Sequence, residues 1–426
     1  MWQKAYEAQC ITHDQKTPER QTHPRAKLTL FALAFGSFCI GTSEFASMGI
    51  IQSFARDLGI PIAQATNAIA AYAIGVVVGA PTITLGAARL NRRTLLLLLI
   101  ALFVLGNSVS AMSTDLGTLM AARFITGLPQ GAYFGAGAVV ATHVVGAGRG
   151  GQAFALVMLG ITTADVVGSP LATLFGQELG WRQTYIGVAI LGAVALAGLS
   201  LWIPRTPDLD GGPITSEIAA FKNPNVWLVI GVAALGISSI FAVYTFIGPF
   251  VTDAAHLSPA ITPIALALFG IGMTVGNLAG GRIADAHPSL GITAGFGCTL
   301  VVLILLATWG QNPWIMMPAL FGVGAFMMAA VPAIQVQLTM FAPAAPTLMG
   351  AMNLAALNTA NALGAWGAGI AVGAGWGLLS AAWAGFVLTG VGLVLYLATV
   401  RPKVLQGSAT SLPHAASADH PRQLGS

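Results

Sequence analysis

Three ionisable side chains stand inside long apolar stretches: Glu44, Arg123 and Asp165. A charged group in hydrocarbon costs roughly 2.5–3.5 kcal/mol on insertion scales, so one kept there is a functional hypothesis by default. A buried carboxylate gives up its proton readily beside a guanidinium and holds it without one. A group that alternates between those states while the protein changes shape can carry a proton across a membrane. Glu44 is the main candidate for that work, Arg123 its electrostatic modulator, and Asp165 a second titrating or substrate-binding carboxylate. The competing readings are a structural ion pair or an interfacial charge near the helix ends for Glu44 and Arg123, and a hydrogen-bonding packing residue for Asp165.

The elements that must position them follow from composition. The chain has 426 residues, 56% apolar and 8% charged. Soluble proteins carry about 25% charged residues, so a soluble enzyme is a poor reading. Apolar runs recur at 28–50, 63–86, 94–113, 117–143, 151–177, 183–204, 225–251, 260–283, 290–308, 313–339, 347–374 and 377–400, spans 1 to 12. Each is long enough, at 1.5 Å per residue, to cross a core of about 30 Å. Barrel strands are shorter and alternate, so the fold class is an all-α membrane protein with 12 transmembrane helices. Glu44, Arg123 and Asp165 fall on spans 1, 4 and 5, in the outer half of the core if the termini lie inside.

Of the 18 Lys and Arg, 15 then fall in inner loops and tails, Arg56 and Arg182 in outer loops, and Arg123 in a span. That bias predicts cytoplasmic termini. The basic balance thus reports topology and implies no nucleic acid. The N-terminal residues 1–27 lack the apolar core of a signal peptide, and within the C-terminal tail, 401–426, the stretch from Gln406 to Ser426 reads as disordered. The longest break, 205–224, divides the chain into two six-span halves, 28–204 and 225–400, the layout of many secondary transporters. Cys39 and Cys298 sit in apolar runs as buried hydrophobes, and with Cys10 they give neither a disulfide framework nor a metal site. His143, His256 and His287 stand at span ends, where solvation explains them. No GxxxxGK[ST] is present, which argues against ATP-driven pumping by this chain alone.

The runs Gly41-Thr42-Ser43-Glu44-Phe45-Ala46-Ser47-Met48-Gly49, Tyr72 to Pro81, Arg123 with Gly127-Leu128-Pro129-Gln130-Gly131, and Gly168-Ser169-Pro170 with Gly180-Trp181-Arg182 occur in this order. With them the sequence resembles the major facilitator superfamily. Within it the likeness is to the drug/proton antiporter group with twelve spans, and to arabinose-efflux-like permeases. The resemblance implies two pseudo-symmetric six-helix halves that rock about a central cavity. It also implies gating loops after spans 2 and 8, here Arg89, Arg92 and Arg93, and Arg282 and Asp285. The family's Asp in the first loop is replaced by Ala88. Gln130 stands where this subgroup more often has His, and Asp165 where it more often has Asn.

Span 5 carries small residues at every fourth position, Gly160, Ala164, Gly168, Ala172 and Gly176; span 8 repeats this at Gly272, Gly276 and Gly280. Such stripes let helices approach closely in lipid, so spans 5 and 8 are expected to meet across the halves. In the resembled family the span 5 stripe with Pro170 is the antiporter motif. Polar and aromatic residues within spans predict the substrate cavity: Tyr133 and Phe134 on span 4, Phe241 and Tyr244 on span 7, Met327 and Gln335 on span 10, Asn358 and Asn361 on span 11. The expected function is proton-coupled efflux of a small organic molecule, either a drug-like compound or a sugar or nucleoside, from the bacterial inner membrane. No cofactor is expected beyond the proton gradient. The partners are substrate, protons and the bilayer, and the chain is expected to be monomeric. Proton-coupled nutrient uptake and a non-transporting membrane sensor remain open.

Overall fold

The computed structural model describes residues 26–402, apart from 61, 147, 259 and 260. The tails 1–25 and 403–426, with Cys10, lie outside the described residues. The rest is almost wholly helical. Among the described residues, ten helices are long and apolar enough to cross a membrane. Most of their ends fall within about four residues of the expected spans, with spans 5 and 7 ending earlier, at Gly168 and Tyr244; loops, caps and prolines mark them, and Asn91, Asn223 and Asn312 accept N-terminal backbone N–H groups of spans 3, 7 and 10. Span 1 begins at Ala26, so Lys27 belongs to its first turn rather than to a free tail.

Spans 4 and 11 stand outside that set of ten. Span 4 is two helices, Leu116–Gly127 and Pro129–Val145, joined at Leu128, whose φ of −48° and ψ of −44° keep the chain helical through the joint. Pro129 can open the second helix because a first-turn N–H has no intrahelical partner to lose. Span 11 is one helix, Pro346–Gly373. Span 7, expected as one helix, is broken into Pro224–Gly236, Ser238–Tyr244, Ile247–Pro249 and a π-helical turn, Phe250–Ala254. Span 5 also changes pitch. Helix Gly150–Thr163 leads into a π-helical turn, Ala164–Gly168, and a second helix, Ser169–Glu178. Pro170 follows that turn and cannot donate to the carbonyl four residues back. The wider turn places Asp165 inside it.

The glycine stripes do not do what their spacing led us to expect. Gly160 and Gly168 pack on span 1, where an added Cβ would strike the Ala34 carbonyl and Thr42 Oγ1 respectively. Gly272, Gly276 and Gly280 pack in the same way on the backbone of span 10, at Phe321, Ala325 and Ala329. Each stripe therefore welds a pair of helices within its own six spans. Spans 5 and 8 do meet, through other residues: Asn277 Nδ2 donates to the Ala155 carbonyl at 2.7 Å, and a Cβ on Gly281 would stand 2.8 Å from that of Ala155. A period of four says that a face is flat; it does not say which neighbour lies on it.

The segment between spans 6 and 7 holds a short 3-10 turn, Pro207–Leu209, and a helix, Ile214–Phe221. Gly211 lies against the Ala88 carbonyl, and Asn91 Nδ2 donates to the Thr206 carbonyl and to Asp210 Oδ1. The linker is thus packed onto the loop after span 2. We call this end of the bundle, which carries both ends of the described chain, the basic end.

Candidate functional site: a carboxylate cavity between the two sets of spans

Asp115 caps the first helix of span 4 by accepting from Thr118 N at 2.9 Å. About two turns further on, that helix delivers Arg123 into the protein with no exposed surface. No carboxylate meets it. Nη1 donates to Ser43 Oγ at 2.9 Å and Nη2 to the Ser43 carbonyl at 3.0 Å, while Ser43 Oγ donates in turn to Asn107 Oδ1 at 2.8 Å. The guanidinium lies 4.4 Å from the Tyr72 ring centre and 5.4 Å from that of Tyr185. A desolvated cation over an aromatic face gains about 2 kcal/mol, so ring faces and span 1 oxygens stand in for a counter-ion.

Glu44 follows Ser43 and leaves span 1 about 100° further round the helix. Its Oε2 accepts from Gln130 Nε2 at 2.9 Å. Gln130 is in the first turn of the second span 4 helix, so the joint at Leu128 sets both Arg123 and Gln130 against span 1. Among the described residues the ion pairs are Arg92–Glu217 and Arg182–Asp57, and Glu44–Arg123 is not one of them. The competing reading of a structural Glu44–Arg123 ion pair is therefore not what the structure shows: Arg123 grips the neighbouring Ser43, and Glu44 is held by an amide.

Glu44, Gln130 and Asp165 open onto one cavity of about 310 Å³. The first six spans add Phe45, Met158 and Ile161 to its wall. The last six add Phe241 and Tyr244 from the short middle piece of span 7, Met273 and Met328 from spans 8 and 10, and Asn358 and Asn361 from span 11. Irregular backbone is tolerated at membrane depth where it lines a cavity; here it carries Asp165, Phe241 and Tyr244.

Beyond the cavity, toward the basic end, the two sets of spans are closed on each other. Gly350 of span 11 meets Gly135 of span 4 so closely that a Cβ would lie 2.5 Å from the Gly135 Cα. Asp285, ending span 8, accepts from the backbone N–H groups of Gly151 at 2.6 Å and Gln152 at 3.1 Å in the first turn of span 5. Arg92 Nη2 lies 3.5 Å from Glu217 Oε1 and its Nη1 donates to the carbonyls of Ala88 and Leu90, each at 3.0 Å. Arg93 instead holds the end of span 6, through the carbonyls of Ser200 and Ile203. Arg89, Arg282 and Pro170 are exposed.

The expected substrate residues divide evenly. Phe241, Tyr244, Asn358 and Asn361 line the cavity; Tyr133, Phe134, Met327 and Gln335 do not. Tyr133 is fully buried and donates to the Leu33 carbonyl, and Phe134 packs edge-on against it. Met327 is fully buried one residue from the Met328 that does line the cavity. Gln335 binds Asn353 and Thr339 nearer the basic end. Sequence reasoning missed Ser43, Tyr72 and Tyr185 as partners of Arg123, Asn107 as the acceptor behind Ser43, and Gln130 as the partner of Glu44. Asn107, an amide side chain within the apolar span 3, was an available signal.

The family described as Major Facilitator Superfamily matches residues 33–365. An Escherichia coli K12 protein named "Inner membrane transport protein YdhP" is 35% identical over 87% of this chain and 96% of its own. A "Chloramphenicol resistance protein" of Streptomyces lividans is 33% identical over 86% of this chain and 95% of its own. Among solved structures, FucP, described as a Major Facilitator Superfamily transporter in the outward conformation, superposes with a TM-score of 0.70 at 12% identity, covering 87% of this chain and 98% of that one.

Proposed function

Because this chain belongs to the Major Facilitator Superfamily, whose members are membrane transporters and not enzymes, we propose that it exports a small organic molecule in exchange for protons. The observation that carries the reading is Glu44: a carboxylate on the wall of the central cavity, held by Gln130, with Arg123 anchored one residue away and no cation in ion-pair contact. Such a group can take a proton when the cavity faces one side and release it when the surroundings change. Arg123 acts on it through space, and Asp165 is the second carboxylate of the same wall. Substrate and proton alternate in one cavity while the closed contacts at the basic end, Gly135–Gly350 and Asp285 on span 5, break and reform.

The printed name of the Streptomyces relative supports a drug-like cargo, and that of the Escherichia relative supports the inner membrane. The bias of Lys and Arg supports a cytoplasmic basic end. The test uses proteoliposomes with an imposed pH gradient and chloramphenicol as the probe. Wild type is expected to concentrate it against its gradient, and Glu44→Gln only to equilibrate it. Uphill transport by Glu44→Gln at the wild-type level would refute the role of Glu44. Greater retention of the compound in cells overexpressing the chain would show uptake instead, and unchanged retention a sensor.

A further inference from the structure

A second cavity, of about 530 Å³, lies on the seam between the two sets of spans at the basic end. Its place follows from helix rise. Along span 4, Gln130 lines the central cavity, while Ala138, Val139 and Thr142 line the second one. Along span 10, Met328 lines the first, while Gln335, Val336 and Thr339 line the second. At 1.5 Å per residue, those offsets separate the two spaces by about 10–12 Å. Gly135, whose contact with Gly350 closes the bundle, falls between them on span 4. The second cavity is therefore a separate space, on the basic-end side of that closure.

Charge and hydrogen bonding narrow what it can hold. Among the described residues no Lys, Arg or His lines it. Its carboxylate, Asp285, is already matched, one oxygen by the Gly151 N–H and the other by the Gln152 N–H. A charged ligand of either sign would lack a partner here, and an unpaired buried charge is costly. Thr142 donates its hydroxyl proton to the Ala138 carbonyl at 2.8 Å, and Thr339 donates to the Gln335 carbonyl at 3.0 Å. What each hydroxyl has left is acceptor capacity. Gln335 is 4% exposed, with its amide held between Asn353 and Thr339. Val139, Val336, Met340, Pro343 and Pro346 make the rest of the wall apolar. A mostly apolar space of this size with a few placed polar groups is the usual form of a small-molecule site. The class that fits is neutral, mainly apolar and able to donate one or two hydrogen bonds.

The walls also decide what binding does. Ala138, Val139 and Thr142 belong to the first set of spans; Gln335, Val336 and Thr339 belong to the second. Asp285 lines the cavity and is itself a closing contact. When the sets part at this end, the walls part with them. A ligand that touches both walls binds the closed form better, and so shifts the protein toward it.

We propose that this cavity is a second binding site, for a small neutral amphiphile of the alkyl alcohol type, and that the bound molecule holds the basic end closed. The holding rests on the reading that the contacts there break and reform; the binding does not.

The experiment begins with photolabelling of the purified full-length protein in nanodiscs by 3-azioctanol, followed by peptide mapping. Adducts are expected to concentrate on 138–142 and 335–343, to be competed away by excess 1-octanol, and to fall about tenfold in Val139→Phe or Val336→Phe, each of which fills the space. The two variants act from opposite walls, so either suffices, and the competition in wild type needs neither. Adducts no denser there than on lipid-facing residues, or adducts that octanol does not compete away, overturn the proposal. The second measurement uses Gly350→Ala, which strains the closed form at a contact outside this cavity. Pulsed electron resonance distances between labels on the loops after spans 4 and 10 report its closed-to-open ratio. Octanol at about ten times its dissociation constant is expected to raise that ratio about tenfold, the shift for a ligand of one state. An unchanged ratio overturns the holding role. Neither arm needs a proton gradient, so failure of uphill chloramphenicol transport would remove the export reading and leave this one standing.

Discussion

The loops after spans 2 and 8 occupy equivalent places in the two sets of six spans, yet they close the basic end differently. After span 8 the loop brings its own carboxylate: Asp285 reaches the opposite set and accepts the first free N–H groups of span 5. After span 2 the matching position is Ala88, buried and without a carboxylate. There Arg92 turns back to the loop carbonyls, and the acid arrives from the linker helix as Glu217. The Leu348 N–H, in the first turn of span 11, also bears on that carboxylate. A helix N-terminus attracts a negative charge whatever segment supplies it. At one corner the loop does so; at the other, a helix 125 residues further along the chain does.

The comparison breaks most visibly at Arg92. Burial pushes the Glu217 carboxyl above its ordinary value, and Arg92 with the Leu348 N–H pulls it back. Arg92→Met removes the pulling charge and leaves a buried acid alone. Breaking a buried pair on one side costs about 3 kcal/mol. The expected result is a clear loss of thermal stability in detergent, largest at high pH. The sign follows from the direction of the shift: a carboxyl raised in the folded state favours folding while protonated and opposes it once pH passes its folded value. The gap from wild type should therefore narrow as pH falls. A gap that is constant with pH would mean that Glu217 does not depend on Arg92.

Asp285→Asn comes next and acts on conformation more than on folding. It keeps the shape but removes the charge and one of the two acceptors, because Oδ1 takes the Gly151 N–H and Oδ2 the Gln152 N–H, and an amide turns one of those oxygens into a donor. Charge-assisted bonds contribute about 1.5–3 kcal/mol, so a loss of about 2 kcal/mol, or roughly thirtyfold in the closed-to-open ratio, is expected. Pulsed electron resonance distances between labels on the loops after spans 4 and 10 would report it. The same distances in Glu217→Gln should move less, since Arg92 keeps its two carbonyls. Equal movement would make the two corners equivalent after all.

Much of this architecture was legible in the chain. Span positions follow from apolar length and from Asn and Pro at the ends, and Glu44, Arg123 and Asp165 stand out because hydrocarbon makes charge costly. What was not legible is contact. The stripes at Gly160 and Gly276 mark flat faces, but their partners, spans 1 and 10, depend on how the bundle is assembled. Arg123 passes over Glu44 for Ser43 because side chains one residue apart on span 1 point in different directions. Met328 rather than Met327 lines the cavity for the same reason, since a one-residue error turns a helix face by about 100°. Glu217 was hidden by its address: a carboxylate in a polar linker reads as solvated until the linker is seen folded over Arg92.

The second carboxylate–arginine pair isolates the effect of solvent on the comparison. At the end opposite the basic one, Asp57 accepts from Trp181 Nε1 at 3.0 Å and pairs with Arg182, whose Nη2 also donates to the Ser113 carbonyl at 2.9 Å. The partners resemble those of Glu217, but Asp57 is exposed. Hydrogen bonds from Arg182 and Trp181 hold its carboxyl below the usual range, with almost no burial to oppose them. Exposed pairs contribute less than about 1 kcal/mol and are screened by salt. Asp57→Asn should therefore lower stability only slightly, and the difference should vanish in high salt. Its gap from wild type should also narrow as pH falls, but from a much smaller starting value than that of Arg92→Met. A carboxyl lowered in the folded state stabilises fully above its unfolded value and loses that contribution as pH falls through the folded one. Thermal unfolding of both variants over one acid-to-neutral series checks this. If the Asp57→Asn gap is as large as that of Arg92→Met and survives high salt, burial is not what distinguishes the buried pair from the exposed one.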